Sequence, residues 1–298
     1  MSMNILEVAS KLPIRGVFEG IDRNEYFRTP GLNPSTIVKR RKSALAAKHA
    51  YESESGDTEA KLFGRCCHSL LFEPHRFNDD WAVWPDKDKR GSEWKEFKAQ
   101  ADAEGKEIIK AGDGMYRLDR AVAATQAAIR KPRVKDLIAE GIAEVALFTG
   151  ELGMQCKGRT DWIDTRGGNL VDAKFTNDIT PSVFGRSAAS FGYRIKMALY
   201  REWFQRESGK EINGVYLILV EPEPPYDVAV VPITEDQLED GLAQARELLA
   251  KMANNIALNW WPGVDEGQDE IPLEVPYWDL LESNAVIEFA GADEIEVE

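Results

Sequence analysis

The residues best equipped for chemistry lie in Gly158-Arg159-Thr160-Asp161-Trp162-Ile163-Asp164 and, after a short turn, in Leu170-Val171-Asp172-Ala173-Lys174. Each is an apolar-rich run of strand character, and each delivers a carboxylate to the same region. Strand side chains alternate faces, so Asp172 and Lys174 project from one side together. A carboxylate pair can hold a hard divalent cation, and a neighbouring ammonium can steady an attacking water and the charge developing on a phosphate. That is the minimal equipment for metal-dependent cleavage of a phosphodiester. Taken alone, an Asp-x-Lys triplet is equally the pattern of an exposed strand edge, and Asp164, at odd spacing from Asp161, reads as a turn residue on the other face.

Other chemistries find less support. The histidines are His49, His68 and His75, and no HExxH pattern or phosphate-binding Walker A loop occurs. Cys66, Cys67 and Cys156 are too few for a four-cysteine iron–sulfur site, and their number fits a reducing compartment better than a disulfide framework. Cys66-Cys67-His68 lacks the second Cys/His cluster that a tetrahedral zinc site needs.

The elements that must position Asp161, Asp172 and Lys174 follow from periodicity. A helical pattern runs from Ser35 through Ala47, and a second helix spans Glu59–Phe72, closed by Glu73-Pro74, with His68 in its interior. Phe77–Pro85 reads as a strand, Ser92–Ala103 and Met115–Ala128 as helices, and Val134–Ala139 as a further turn or two. Ala143–Phe148, Met154–Ile163 and Asn169–Phe175 are three successive strands separated by glycine turns. One long helix is predicted over Ser187–Glu207, then strands Gly214–Val220 and Asp227–Ile233. Thr234-Glu235-Asp236-Gln237 has the form of a capping box opening a last helix, with Trp260-Trp261 expected in the core. The fold class is α/β, a central mixed β-sheet flanked by helices.

Together these residues resemble the PD-(D/E)XK nuclease superfamily, and within it the RecE-like (exonuclease VIII) type. The likeness rests on Glu144, Asp161, Asp172 and Lys174, on the helix Phe63-Gly64-Arg65-Cys66-Cys67-His68-Ser69-Leu70-Leu71-Phe72-Glu73-Pro74, and on Tyr193-Arg-Ile-Lys-Met-Ala-Leu-Tyr200, over about residues 15–255. The resemblance implies a restriction-endonuclease-like core in which Asp161 and Asp172, with the Ala173 carbonyl, ligate Mg²⁺ or Mn²⁺. It implies that His68 contacts a metal or the scissile phosphate, that Lys174 orients or helps deprotonate the attacking water, and that Glu144 binds metal through water. Tyr193, Lys196 and Tyr200 share a helix face by their spacing, and the resemblance implies that this face meets DNA. Lys196 stands where the family usually carries glutamine. On its own, His68 in an apolar helix is equally a structural histidine, and Tyr193 and Tyr200 are equally core.

The resemblance further implies an exonuclease that resects double-stranded DNA ends, 5′ to 3′, in phage or prophage recombination, partnered by a single-strand annealing protein and able to form a homo-oligomeric ring. A structure-specific or defence endonuclease and a catalytically silent DNA-binding module are the alternatives. The 298 residues divide on this reading into an N-terminal extension (1–33), a nuclease domain with a helical N-terminal part (34–262) and an acidic C-terminal tail (263–298). A net charge of −14 disfavours passive whole-surface binding of DNA, so any DNA groove must be locally basic. Lys39–Lys42, Lys87–Arg90 and Arg130–Lys135 are candidates, though solvated helix ends and loops account for each equally well. No run reaches the roughly 18 to 20 apolar residues of a membrane helix. Residues 1–15 lack the apolar core of a secretory signal, so a cytoplasmic protein without membrane attachment is expected.

Overall fold

The computed structural model of the chain describes residues 4–9, 13–53, 56–85 and 87–275. By compactness the chain falls into two units, Met1–Trp261 and Pro262–Glu298. The second is described only to residue 275, with a turn at residues 264–267, so the loose tail expected over Ala290–Glu298 lies outside the described residues. No helix among the described residues is long and apolar enough to cross a membrane.

The first unit begins with short elements cut by their own caps. Strand β1 (Gly16–Phe18) precedes α1 (Arg23–Arg28), whose Asn24 and Glu25 N–H groups donate to the Asp22 side chain. Helices α2 (Pro34–Lys39) and α3 (Ala44–Glu52) replace the single helix expected from Ser35 through Ala47. The division comes at Ser43, whose extended backbone and hydroxyl, accepting from Ala46 N–H, start a new helix. Helix α4 (Glu59–Phe72) has the predicted bounds, opened by Thr58 and closed before Pro74. The stretch expected as one strand from Phe77 divides into α5 (Phe77–Asp80) and β2 (Trp81–Trp84). After α6 (Gly91–Ala103), β3 (Glu107–Lys110) pairs in parallel with β2 as a separate two-stranded sheet. Helices α7 (Leu118–Arg130) and α8 (Pro132–Leu137) lead into the main sheet.

That sheet contains β4 (Gly141–Glu151), β5 (Met154–Asp164) and β6 (Asn169–Phe175). Two helices follow, α9 (Pro181–Phe191) and α10 (Tyr193–Ser208). Strands β7 (Gly214–Val220) and β8 (Val228–Ile233) and helix α11 (Glu235–Leu258) complete the unit. The order across the sheet is β1-β4-β5-β6-β7-β8, with β6 and β7 parallel and the other neighbours antiparallel. One face packs Leu147, Ile163, Leu170 and Leu217 against Leu199 and Trp203 of α10 and Leu248 and Met252 of α11. The other packs Trp162, Val171, Ala173 and Ile218 against α4, α7 and α8. This is the α/β architecture expected: a mixed sheet between helical layers.

Three local features shape the site. Gly192 breaks the helix expected over Ser187–Glu207: its φ is +65°, and a Cβ there would fall 2.8 Å from Val38 Cγ1. Asp164 pins the β5–β6 turn, accepting from Arg166 and Gly167 N–H on Oδ1 and from Asn169 Nδ2 on Oδ2. Beyond that turn β5 pairs with β6 only as far as Trp162↔Val171, whereas β6 stays paired with β7 through Phe175. The two strands therefore part at Asp161.

The capping box at Thr234 forms as expected, with Gln237 N–H donating to Thr234 and Thr234 N–H to Gln237 Oε1. Trp260, by contrast, is 47% exposed and not core. Asn259 in a left-handed conformation turns the chain away from the end of α11, and Asn255 Nδ2 holds the Trp260 carbonyl, leaving the indole outside.

Lys157 of β5 is 2% exposed yet faces no carboxylate among the described residues. Its ammonium donates to the carbonyls of Tyr26 (2.9 Å), Phe27 (3.3 Å) and Thr29 (2.6 Å), so one side chain closes the C-terminus of α1 and fastens it to the sheet. Burial lowers its pKa to about 8. Lys157→Met, which keeps the stem and removes the donors, is expected to lower the unfolding free energy by about 1–3 kcal/mol because buried carbonyls lose their partner. An unchanged urea midpoint would contradict this role.

Candidate active site

The opening between β5 and β6 is where the predicted residues meet. A strand residue directs its N–H and C=O to the same side, so both groups of Ala173 face the opening once β5 has left. Ala173 N–H donates to Asp161 Oδ2 at 2.9 Å. Its carbonyl accepts from Lys174 Nζ at 3.2 Å and from His68 Nε2 at 3.0 Å. A carbonyl can only accept, so Nε2 carries a hydrogen, and Nδ1 faces Asp161 Oδ2 at 3.5 Å. His68 arrives from α4, on the layer opposite α10. The gap in the sheet is what lets the two layers share one site.

Asp172 and Lys174 project together on the α10 side, as the period of two predicts. The Lys174 ammonium lies against Asp172 Oδ2 and 3.9 Å from Asp161 Oδ2. The two carboxylates are driven apart in proton affinity. Burial and the nearby Asp161 charge push Asp172 up to about 6, although Lys174 pulls the other way. For Asp161, burial is outweighed by the His68 and Lys174 charges and by the Ala173 N–H, so its pKa is lowered. Lys174 is desolvated too, but Asp172 and Asp161 dominate and hold it above the usual lysine range.

Glu144 occupies the position on β4 opposite Asp161, where the regular ladder skips from Ala143↔Trp162 to Val145↔Thr160. Its φ of +52° is a left-handed conformation for a non-glycine residue, and it interrupts the alternation: Ile142 and Val145 face the same core. Burial raises its pKa against the pull of Arg159, which holds it at 2.5 Å. Arg159 in turn lies 5.9 Å from the Tyr26 ring centroid, beside Lys157. Arg159 lies within the acid-bearing run, and its role shows only in the fold. An arginine two residues before an acid, on the same strand face, was the available signal.

On α10, Tyr193 lies within reach of the centre: its ring centroid is 5.5 Å from both Lys174 Nζ and Lys196 Nζ. Tyr200 sits deeper, against Gly158, where a Cβ would fall 2.8 Å from Tyr200 Cε1, and packs on the core beneath α10. The basic segments do not combine into one free face. Arg40 is buried and bonds Asn255, Arg41 bonds the Ala189 carbonyl, Lys131 bonds the Val228 carbonyl, and Lys87 and Arg90 pair with Glu93 and Asp88. A concavity of about 420 Å³ near Val17, Ile142 and Phe204 includes none of the candidate site residues.

The donor set suits a hard cation that keeps part of its water shell. Asp172 Oδ2 is buried without a hydrogen bond of proper geometry, Asp161 is beside it, and the Ala173 carbonyl points into the same opening. No cage of three or more His, Cys, Asp or Glu side chains forms among the described residues. Two carboxylates with a carbonyl and water are what Mg²⁺ or Mn²⁺ accepts, and a thiophilic metal would not be satisfied here.

Residues 35–270 match the family model described as a PDDEXK-like domain of unknown function (DUF3799). Among solved structures, a candidate exonuclease from Eubacterium rectale is similar with a TM-score of 0.57 and 15% identity, over 90% of this chain and 99% of that one. A phage related exonuclease from Haemophilus somnus 129PT has a TM-score of 0.34 and 10% identity, over 77% of this chain and 96% of that one. The first likeness is one of fold; the second is too distant to add to it. No curated protein matches the chain.

A proton and a cation compete for Asp172. Because its pKa is raised, the carboxylate is available above about 6 and is lost below it. Mn²⁺ affinity measured by calorimetry is therefore expected to be level near neutral pH and to fall as the pH drops through about 6. Affinity independent of pH across that range would exclude Asp172 as a ligand.

Proposed function

The chain belongs to that family of PDDEXK-like domains, and from this premise we propose that it is a metal-dependent DNA exonuclease of RecE-like type that resects double-stranded ends by phosphodiester hydrolysis. One observation carries the reading: Asp161, Asp172, Lys174, His68 and the Ala173 carbonyl converge in the opening between β5 and β6. In this reading Asp161, Asp172 and the Ala173 carbonyl hold Mg²⁺ or Mn²⁺. When bound, such an ion acidifies water and offsets phosphate charge.

The protein's own groups then have distinct tasks. Lys174 is held charged by its two carboxylates, so it orients the nucleophilic water and stabilises charge on phosphate in preference to removing a proton. His68, fixed by the Ala173 carbonyl, keeps Asp161 aimed at the opening and is placed to meet the scissile phosphate. Glu144, held by Arg159 opposite Asp161, is positioned to bond a metal-bound water. Tyr193 and Lys196 line the approach of the DNA backbone, and Tyr200 supports α10 from beneath. The 5′ to 3′ polarity, the recombination role, the annealing partner and a ring assembly are supported by the family resemblance alone. A ring would let basic groups line a channel while the acidic surface faces outward.

Two results are expected. With Mg²⁺ the protein will release nucleotides from linear duplex and leave a covalently closed circle intact; cutting of the circle would favour a structure-specific endonuclease. Lys174→Ala is expected to lower turnover by about a hundred- to a thousandfold with little change in Mn²⁺ affinity. Near-normal turnover in the folded variant would remove Lys174 from the chemistry.

A further inference from the structure

The corner between α9 and α10 brings an exposed aromatic ring, and an ammonium with no ion pair among the described residues, to the same tyrosine, Tyr193. Phe191, the last residue of α9, is 56% exposed. Its ring stacks on Tyr193, with centroids 5.9 Å apart and planes 19° from parallel. Lys196, one turn into α10, lies 5.5 Å from the same Tyr193 ring, and no carboxylate or hydrogen-bond acceptor among the described residues pairs with it. Burial and the Lys174 charge, with a smaller push from Lys39, lower its pKa to about 8 against the pull of Asp172. A desolvated cation that forms no ion pair among the described residues is a group to which an anion can bind.

The corner is built to hold this arrangement. Gly192 in the left-handed region is the only residue between the two helices, and Val38 stands where any side chain at that position would go. Arg41 Nη1 donates to the Ala189 carbonyl at 2.8 Å, tying the end of α9 to the loop after α2. Phe184 packs on Tyr193 at 5.9 Å from within α9. The exposed phenyl ring is thus held against Tyr193, whose ring centroid also lies 5.5 Å from Lys174 Nζ.

A flat apolar face near an ammonium that forms no ion pair matches one ligand unit, a nucleotide with its phosphate. A base can lie on a phenyl ring only when it has left the duplex stack. We propose that the α9–α10 corner is a subsite for one unpaired nucleotide of the strand being cut, its base on Phe191 and its phosphate on Lys196. This rests on the nuclease reading above and narrows its substrate to a strand whose end is unpaired.

The test is equilibrium binding, with EDTA present so that nothing is cleaved. Fluorescein-labelled duplexes ending either in a short unpaired thymine tract or in a fully paired terminus are titrated by anisotropy with the full chain. The wild-type protein is expected to bind the unpaired end about tenfold more tightly, the scale of one base–aromatic stack. Phe191→Ala should erase that preference and Phe191→Tyr should keep it. Lys196→Gln should lower the slope of log affinity against log salt by about one counterion. Equal affinity of the wild type for both ends, or a preference that survives Phe191→Ala, would overturn the subsite while leaving the nuclease reading intact. Binding to neither end, in EDTA and again with Ca²⁺ in place of Mg²⁺, would overturn both. Retention of an unrelated protein on Phe191, with no preference between DNA ends, would count the same way against the subsite.

Discussion

A backbone peptide inside a protein must find hydrogen-bond partners, and the parting of β5 from β6 takes them away from Ala173. What replaces the lost strand is chemical machinery. The Asp161 carboxylate takes the Ala173 N–H, and His68 and Lys174 take the carbonyl. The same opening that would destabilise an ordinary sheet thus aligns an acid, an imidazole and an ammonium around one peptide. A strand continuing to pair with β6 would satisfy Ala173 and displace all three. Regular pairing of β6 with β7 on its other side supplies the rigidity, so that the distortion is confined to one edge.

The electrostatics of the centre follow from crowding charges at that edge. Two buried carboxylates repel each other, and Lys174 between them is insufficient to keep both equally acidic. Asp172 becomes the easily protonated member, and its Oδ2 lacks a proper hydrogen bond. Such an arrangement is poor for stability and well suited to a divalent cation, which neutralises the pair in one event. The support around it is polar: Arg159 pairs with Glu144, the Tyr26 ring lies over Arg159, and Lys157 fastens α1 to the sheet. The N-terminal segment is therefore part of the site's scaffold, although none of its side chains is assigned to the chemistry.

Much of the architecture was legible where local chemistry decides it. Thr58 and Glu73-Pro74 bound α4, the Thr234–Gln237 box opens α11, and the apolar runs of β6 and β7 declare buried strands. Asp164 read correctly as a turn residue. Elements too short to carry a period, such as β1, α1 and β3, are formed by partners distant in sequence and left no pattern to follow. Gly192 lies in a helical sequence and breaks it only because Val38 and the left-handed turn demand glycine. At the site, the shared face of Asp172 and Lys174 follows from strand alternation. The approach of His68 to Ala173 across 105 residues, the left-handed Glu144 and the clamp by Arg159 are tertiary, and no spacing encodes them.

The central claim is that the opening beside Ala173 is where a cation and a phosphodiester meet. Asp172→Ala tests it most directly, because that carboxylate is the one left without a proper hydrogen bond. Nucleotide release from linear duplex DNA with Mg²⁺ should be robust for the wild-type protein, abolished by EDTA, and absent from the variant while its circular dichroism and unfolding remain native-like. Wild-type rates from a folded Asp172→Ala protein would contradict the account and place the chemistry elsewhere in the chain.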